Sequence, residues 1–320
     1  MQRRIVIAGI GALAAGKAVA QVAFPTRPVR VIIPFGPGGG TDNLARLIEP
    51  HVNRLLGQNL VLETKPGAAG IIGSELVARA EPDGHMLLMT DSSFTILPGL
   101  QPRLPFDAQR DFEPISMLAT GSSVLLVHPS LPVRSLQELV ALARARPGQL
   151  SYASGGNGTG PQLAAELVKI VAGVEMTHVP YRGTGPATND VVAGHVPLMF
   201  NGVSAAKPHV ESGRLIALAV TGETRNRALP DVPTFTEQGM AGIEASSNWG
   251  VLAPARTPQA VVQRLAEAFG QGVREPSIAE RLEYLGFTPV GSSPGEYARR
   301  LASDIERWTN VIRIAGVRPD

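Results

Sequence analysis

The chain has 320 residues, 44% hydrophobic, 18% charged and 5% aromatic, a balance that suits a globular protein of two lobes rather than one small core. Its 29 Lys and Arg and 27 Asp and Glu are scattered without a like-charge run, and with so few aromatics they offer no face for nucleic acid. Cysteine is absent, which excludes disulfides, thiolate metal sites, a cysteine nucleophile and a lipidated cysteine anchor.

Residues 1–20, MQRRIVIAGIGALAAGKAVA, read as an export signal. Arg3 and Arg4 precede an apolar stretch from Ile5 to Gly16, and Ala18-Val19-Ala20 marks cleavage before Gln21. The apolar stretch is shorter than the roughly 20 residues that span a bilayer. The arginine pair fits the twin-arginine route, and the general secretory route fits equally. Loss of Arg3, Arg4 and Lys17 leaves 26 basic against 27 acidic side chains, a net charge of −1.

Beyond the signal, short apolar runs alternate with amphipathic stretches. Strands are predicted at 29–35, 59–63, 85–90, 124–128, 176–179, 197–200, 215–221 and 249–253. Helices are predicted at 42–56, 71–80, 136–145, 161–171, 186–193, 258–273, 276–285 and 294–314. Many strands are apolar throughout, as expected where both faces are covered, and the alternation predicts an α/β chain with mostly parallel sheets. No long linker divides the chain. The apolar segments 123–128 and 247–253 suit two crossings between lobes, with the C-terminal helices returning to the first.

Glycines cluster at 36–40, 67–73, 155–160 and 183–185, each ahead of a helical pattern. Glycine admits a ligand close to the backbone, and a helix N-terminus offers free N–H groups and partial positive charge. Nucleotide fingerprints fail: Gly36-Pro37-Gly38-Gly39-Gly40-Thr41 ends in Thr, and no Lys occurs between Lys17 and Lys65. Four such loops together predict a ligand cleft. Thr41 is expected to cap the following helix, and Asp42 to cap it, hold a donor on the ligand or fix a water.

Catalytic patterns are weak. Gly291-Ser292-Ser293-Pro294-Gly295 fits a nucleophile elbow, but Pro294 has no N–H for an oxyanion. Ser293-Pro294-Gly295-Glu296 reads instead as a capping box. The six histidines show no metal-ligand spacing. No catalytic residue, metal site or cofactor is expected.

The segments FPTRPVRVIIPFGPGGGTDNLARLI, LSYASGGNGTGPQLAAELV, HVPYRGTGPATNDVVAGHVPLMF and WGVLAPARTP, in this order, resemble the Bug-type extracytoplasmic receptors of tripartite tricarboxylate transporters. The resemblance covers essentially the whole mature chain. It implies a two-lobed type II periplasmic-binding-protein fold with an interlobe cleft. After the signal at 1–20, residues 21–124 form the first part of lobe 1, 125–246 lobe 2, and 247–320 the second part of lobe 1. It further implies a periplasmic monomer that takes a small organic anion, commonly a mono- or dicarboxylate. Its partners are the large and small membrane subunits of a permease and, in some members, a sensor kinase. Sensing without transport, or an uncharged solute such as an amide or vitamin, stays open, as does a hydrolase on the same fold.

Carried residue by residue, the resemblance places amide donors at Gly38, Gly39 and Gly40 on one lobe and at Gly156, Asn157, Gly158 and Thr159 on the other. Phe35, Asp42, Ala68, Ala69, Thr90, Ser92 and Ser154 line the cleft. Tyr181 walls it or donates its hydroxyl. Arg182 pairs with a second carboxylate or forms an ion pair elsewhere, and Asn201 makes a polar contact. Gly36 stands where the family often has Pro, and Asp91 puts a carboxyl near the cleft, where it repels a second carboxylate or binds an amino group.

Overall fold

The computed structural model describes residues 24–37 and 40–318; the expected signal at 1–20, and Gly38 and Gly39, lie outside the described residues. The chain begins with β1 (Val29–Ile33), α1 (Gly40–Leu56), β2 (Leu60–Thr64), a 3-10 turn (Ala68–Gly70), α2 (Ile71–Ala78), β3 (Met86–Asp91), α3 (Ser93–Leu100) and β4 (Phe112–Gly121). A second set follows: β5 (Ser123–Val127), α4 (Leu136–Ala145), β6 (Ser151–Ser154), α5 (Gly160–Ala172), β7 (Thr177–Pro180), α6 (Thr184–Val192), β8 (Leu198–Gly202), α7 (Val203–Glu211) and β9 (Ile216–Val220). The chain closes with β10 (Ser247–Pro254), α8 (Gln259–Arg274), α9 (Pro276–Tyr284), β11 (Phe287–Pro289) and α10 (Pro294–Ala315).

Local chemistry accounts for the element ends. In α4 the Ser135 hydroxyl accepts from the Glu138 amide, an N-cap. In α10 Ser293 and Glu296 form the expected capping box, with Pro294 in the first turn and Gly316 left-handed at the end. The apolar strand VRVII of β1 has four of its five residues buried, as both faces are covered by helices.

The strands form two sheets, ordered β11-β4-β10-β3-β1-β2 and β7-β6-β8-β5-β9. They are mixed, not mostly parallel: four parallel pairs stand against five antiparallel ones. The antiparallel pairs among them arise at β5 and β10, which enter from the other sheet and run against their neighbours, and at β11 on the edge. An all-apolar strand is buried on both faces whichever way it runs, so its sequence carries no direction.

The strand directions decide where the loops lie. β4 ends at Gly121 and β5 starts at Ser123, so the carboxyl end of β4 abuts the amino end of β5. β1, β2 and β3 run with β4, because β10 is antiparallel to both β3 and β4. β6, β7, β8 and β9 all run against β5. The carboxyl ends of all these strands therefore point at the junction between the sheets. All four glycine clusters follow such ends.

The two crossings are knit together. Thr221 N donates to Ser123 O at 2.8 Å, Ser123 N to Thr221 Oγ1 at 2.9 Å, and Thr221 Oγ1 lies 3.0 Å from Ser246 Oγ. Beside them, Trp308, Val311 and Ile312 of α10 and Ile96 and Leu100 of α3 share one core cluster with Leu163 and Leu167 of α5. Each large apolar side chain buried there contributes about 1.5–3 kcal/mol.

Candidate functional site

Helix α1 opens at Gly40, one residue before the expected cap, so Thr41 and Asp42 are helical and buried. The Thr41 hydroxyl donates to Asp91 Oδ2 at 3.4 Å rather than capping. Asp42 accepts from Arg46 Nε at 3.0 Å, an i,i+4 pair whose carboxylate also suits the helix N-terminus.

The second loop carries the strongest backbone signal. Gly67, Ala68, Ala69 and Gly70 all have positive φ, and Ala68 and Ala69, at 47° and 54°, are not glycine. Each such alanine costs about 1–2 kcal/mol, and strain of this kind concentrates at functional sites. Phe35 packs against this loop: a Cβ on Gly70 would sit 3.4 Å from its ring.

At the end of β3, Thr90 is buried, and the Asp91 carboxylate accepts from Ser93 N at 2.9 Å and Ser93 Oγ at 2.6 Å. Desolvation is the largest influence on Asp91 and pushes its carboxyl above the usual range, against the hydrogen bonds from Ser93 and Thr41. Ser92 Oγ accepts from Asn248 N at 2.8 Å, tying this corner to β10.

Sequence reasoning missed Trp249, on β10 in register with Asp91. Its indole Nε1 is buried with no hydrogen-bond partner among the described residues. It lies 3.6 Å from where a Cβ on Gly40 would be, and its ring edge packs on Gly121 and Phe287. Buried donors are nearly always paired, so this N–H marks a place for an acceptor. A lone polar atom in an apolar strand gives no pattern in a sequence.

The second sheet contributes a loop with much of its polarity turned inward. Gly156 N donates to Ser154 Oγ at 3.2 Å and Gly158 N to Gln162 Oε1 at 2.6 Å. These two amides, expected to meet a ligand, are engaged within the loop. Thr159 is the N-cap of α5, yet its hydroxyl caps no amide and donates to Gly156 O at 2.8 Å. Asn157 lies between the two engaged amides.

The remaining expected contacts are placed as follows. The Tyr181 hydroxyl donates to Asp190 Oδ2 at 2.7 Å, and this carboxylate pushes its pKa up to about 12. Arg182 is exposed, and among the described residues it forms no ion pair. Asn201 is buried, with Nδ2 donating to Thr188 Oγ1 at 3.0 Å and Oδ1 accepting from Gly202 N at 2.8 Å; both ends are engaged locally.

On the opposite flank of the crossings lies a cavity of about 420 Å³, lined by Ser122, Asn226, Arg227, Glu283 and Phe287 among others. Among the described residues no cluster suits a metal ion, and no helix is long and apolar enough to cross a membrane.

Known proteins agree with this architecture. A family model described as "Tripartite tricarboxylate transporter family receptor" matches residues 44–317. Protein BugT of Bordetella pertussis (strain Tohama I) is 33% identical over 322 residues, covering 99% of each chain. A solved structure from R. palustris with adipate superimposes with a TM-score of 0.78 at 34% identity, over 93% of this chain and 100% of that one. MatC from Rhodopseudomonas palustris, solved with bound malate, gives 0.74 at 31%, over 90% and 100%. The two-sheet α/β architecture is thus a periplasmic-binding-protein fold, and the chain belongs to the receptor family of the tripartite tricarboxylate transporters, with the Bug-type receptors.

Proposed function

We propose that this chain captures a small organic anion, a mono- or dicarboxylate, at the junction of its two sheets and delivers it to the large and small membrane subunits of a permease. The observation that carries the reading is topological: the carboxyl ends of β1 to β4 and of β6 to β9 converge on one junction crossed twice by the chain. Ligands of open α/β sheets bind outside such ends. The lobes are residues 21–124 with 247–320, and 125–246, and they close by rotation about the crossings. The export signal at 1–20 places the mature protein in the periplasm.

In this reading the amides at the start of α1 and in the Ala68–Ala69 turn serve one side of the ligand, and Trp249 Nε1 donates from the floor. The first-turn amides of α5 and the loop at Asn157 serve the other side. Arg182 meets a second carboxylate at the rim. The serine of the elbow-like segment is spent in a helix cap, which supports binding rather than hydrolysis at that segment.

Two relatives of this fold were solved with adipate and with malate, which makes these acids the first probes. A ligand at 100 times its Kd adds about 2.7 kcal/mol of stability. A thermal-shift screen of ligand-free protein against dicarboxylates is expected to raise the melting point. No shift with any carboxylate would overturn the reading.

A further inference from the structure

Three side chains behind the second-sheet loop form one hydrogen-bonded chain. Gln162, in the first turn of α5, accepts from Gly158 N through Oε1 at 2.6 Å, and its Nε2 lies 3.2 Å from His178 Nδ1. His178 Nε2 lies 2.6 Å from Ser154 Oγ. Ser154 Oγ in turn accepts from Gly156 N at 3.2 Å and donates to Gly156 O at 3.1 Å. Ser154 and Gln162 are buried, and His178 is half-buried on β7, opposite Tyr152.

Among these bonds, donor and acceptor arithmetic selects one protonation state. The Gly158 N–H fixes the oxygen end of Gln162, so its amide nitrogen faces His178 as a donor. Nδ1 must then be a bare acceptor, and the proton of the neutral ring sits on Nε2 and is donated to Ser154 Oγ. The serine hydrogen goes to Gly156 O. Each donor named here meets an acceptor. A second proton on His178 puts an N–H at Nδ1 against the Gln162 amide hydrogens. Turning the Gln162 amide over only moves the conflict to Gly158 N. In either case two donors face each other, at a part-buried contact or at the buried one with Gly158, which is costly.

Titratable groups on the neighbouring elements pair with one another. Tyr152 stacks on the imidazole, with centroids 5.0 Å apart, and its hydroxyl donates to Glu166. Glu166 pairs with Lys169 at 2.8 Å. On α6, Asp190 is held by the Tyr181 hydroxyl and lies 3.4 Å from His195.

We propose that His178 is a positioning residue that holds the 156–158 loop in its binding shape only while neutral, so that capture of a carboxylate weakens as pH falls through the imidazole range. The proposal rests on this loop contacting the ligand, as set out above.

The test is calorimetric titration with adipate and malate between pH 7.5 and 5.5, on the wild type and His178→Gln, which keeps a donor toward Ser154 and cannot titrate in this range. Wild-type affinity is expected to fall about tenfold, the loss of one buried hydrogen bond, while the variant stays flat. Ligand-free melting is expected to show the same contrast, with the wild type losing more stability on acidification. Parallel pH profiles in wild type and variant would overturn the role of His178. Absence of binding at every pH would instead overturn the carboxylate reading, and the ligand-free melting would still decide the histidine. If the variant does not fold, nitrogen NMR of the wild type decides: a proton on Nε2 at pH 7.5 is expected, and one on Nδ1 overturns the network.

Discussion

Arg227 Nη1 lies 2.5 Å from Glu283 Oε2, joining the loop after β9 to α9 across the junction of the two sheets. Asn226 reinforces this contact, with Nδ2 3.3 Å from Gly286 O and 3.3 Å from Ser122 Oγ. In the strand order, β11 and β9 lie on one flank of the crossing strands, and β1 to β3 and β6 to β8 on the other. A rotation that draws the glycine loops together therefore draws Arg227 away from Glu283.

Glu283→Gln is accordingly expected to tighten ligand binding, because it weakens a contact that opposes closure. Arg227 is well exposed, so the gain is small, about 1.5- to 5-fold in Kd, and it disappears at high salt. Titration calorimetry at low and high salt measures it. Weaker binding in the variant would mean that the pair supports the closed form.

Trp249→Phe removes the unpaired indole N–H and keeps an aromatic ring against Gly121 and Phe287. A hydrogen bond to a charged oxygen is worth about 1.5–3 kcal/mol, so affinity for a dicarboxylate is expected to fall about tenfold or more. The chain has two tryptophans, and the other, Trp308, is buried in α10. Any ligand-induced emission change should therefore vanish in the variant. Unchanged affinity would exclude the indole as a ligand donor.

Ala69→Gly relieves a left-handed alanine but loosens the unfolded chain, a net expected gain of about 0.5–1 kcal/mol in stability. If the strained turn is pre-organised for a ligand, binding weakens at the same time. Denaturant melts and titrations on one preparation read both. A gain in stability without loss of affinity would make the strain incidental to binding.

Legibility in the sequence followed physical signal strength. The long amphipathic helices and all-apolar strands were plain, and α4 was placed at its observed bounds. β6 has four residues and β11 three, too few for a period to emerge. β4 contains Pro114, α3 contains Pro98 and Gly99, and α7 contains Pro208, all of which argue against regular structure locally. In α3 tertiary packing overrides propensity: a Cβ on Gly99 would come within 2.8 Å of Thr309 Cα in α10, so the glycine permits the helix contact. At the site, the glycine loops were legible because backbone freedom is written in residue type. The engagement of Gly156 and Gly158 by Ser154 and Gln162 was not, because it depends on rotamers.

The acid limb of stability should carry the mark of one ion pair. Arg30 Nε and Nη2 reach Glu63 Oε1 and Oε2 at 2.6 and 2.9 Å, a bidentate pair across β1 and β2, with Lys65 3.9 Å away. The hydrogen bond from Arg30 is the main reason the Glu63 carboxyl lies below its usual range. A carboxyl with a lowered folded pKa stabilises above its unfolded value, about 4.3, and that contribution is lost as pH falls through the folded value. Both side chains are partly exposed, so screening limits the effect to about 1 kcal/mol. Glu63→Gln should therefore melt slightly below the wild type at pH 7, and the difference should close as pH falls below the unfolded value and through the lowered folded one. A difference that stays constant across this range would assign the loss to packing of the side chain and not to its charge.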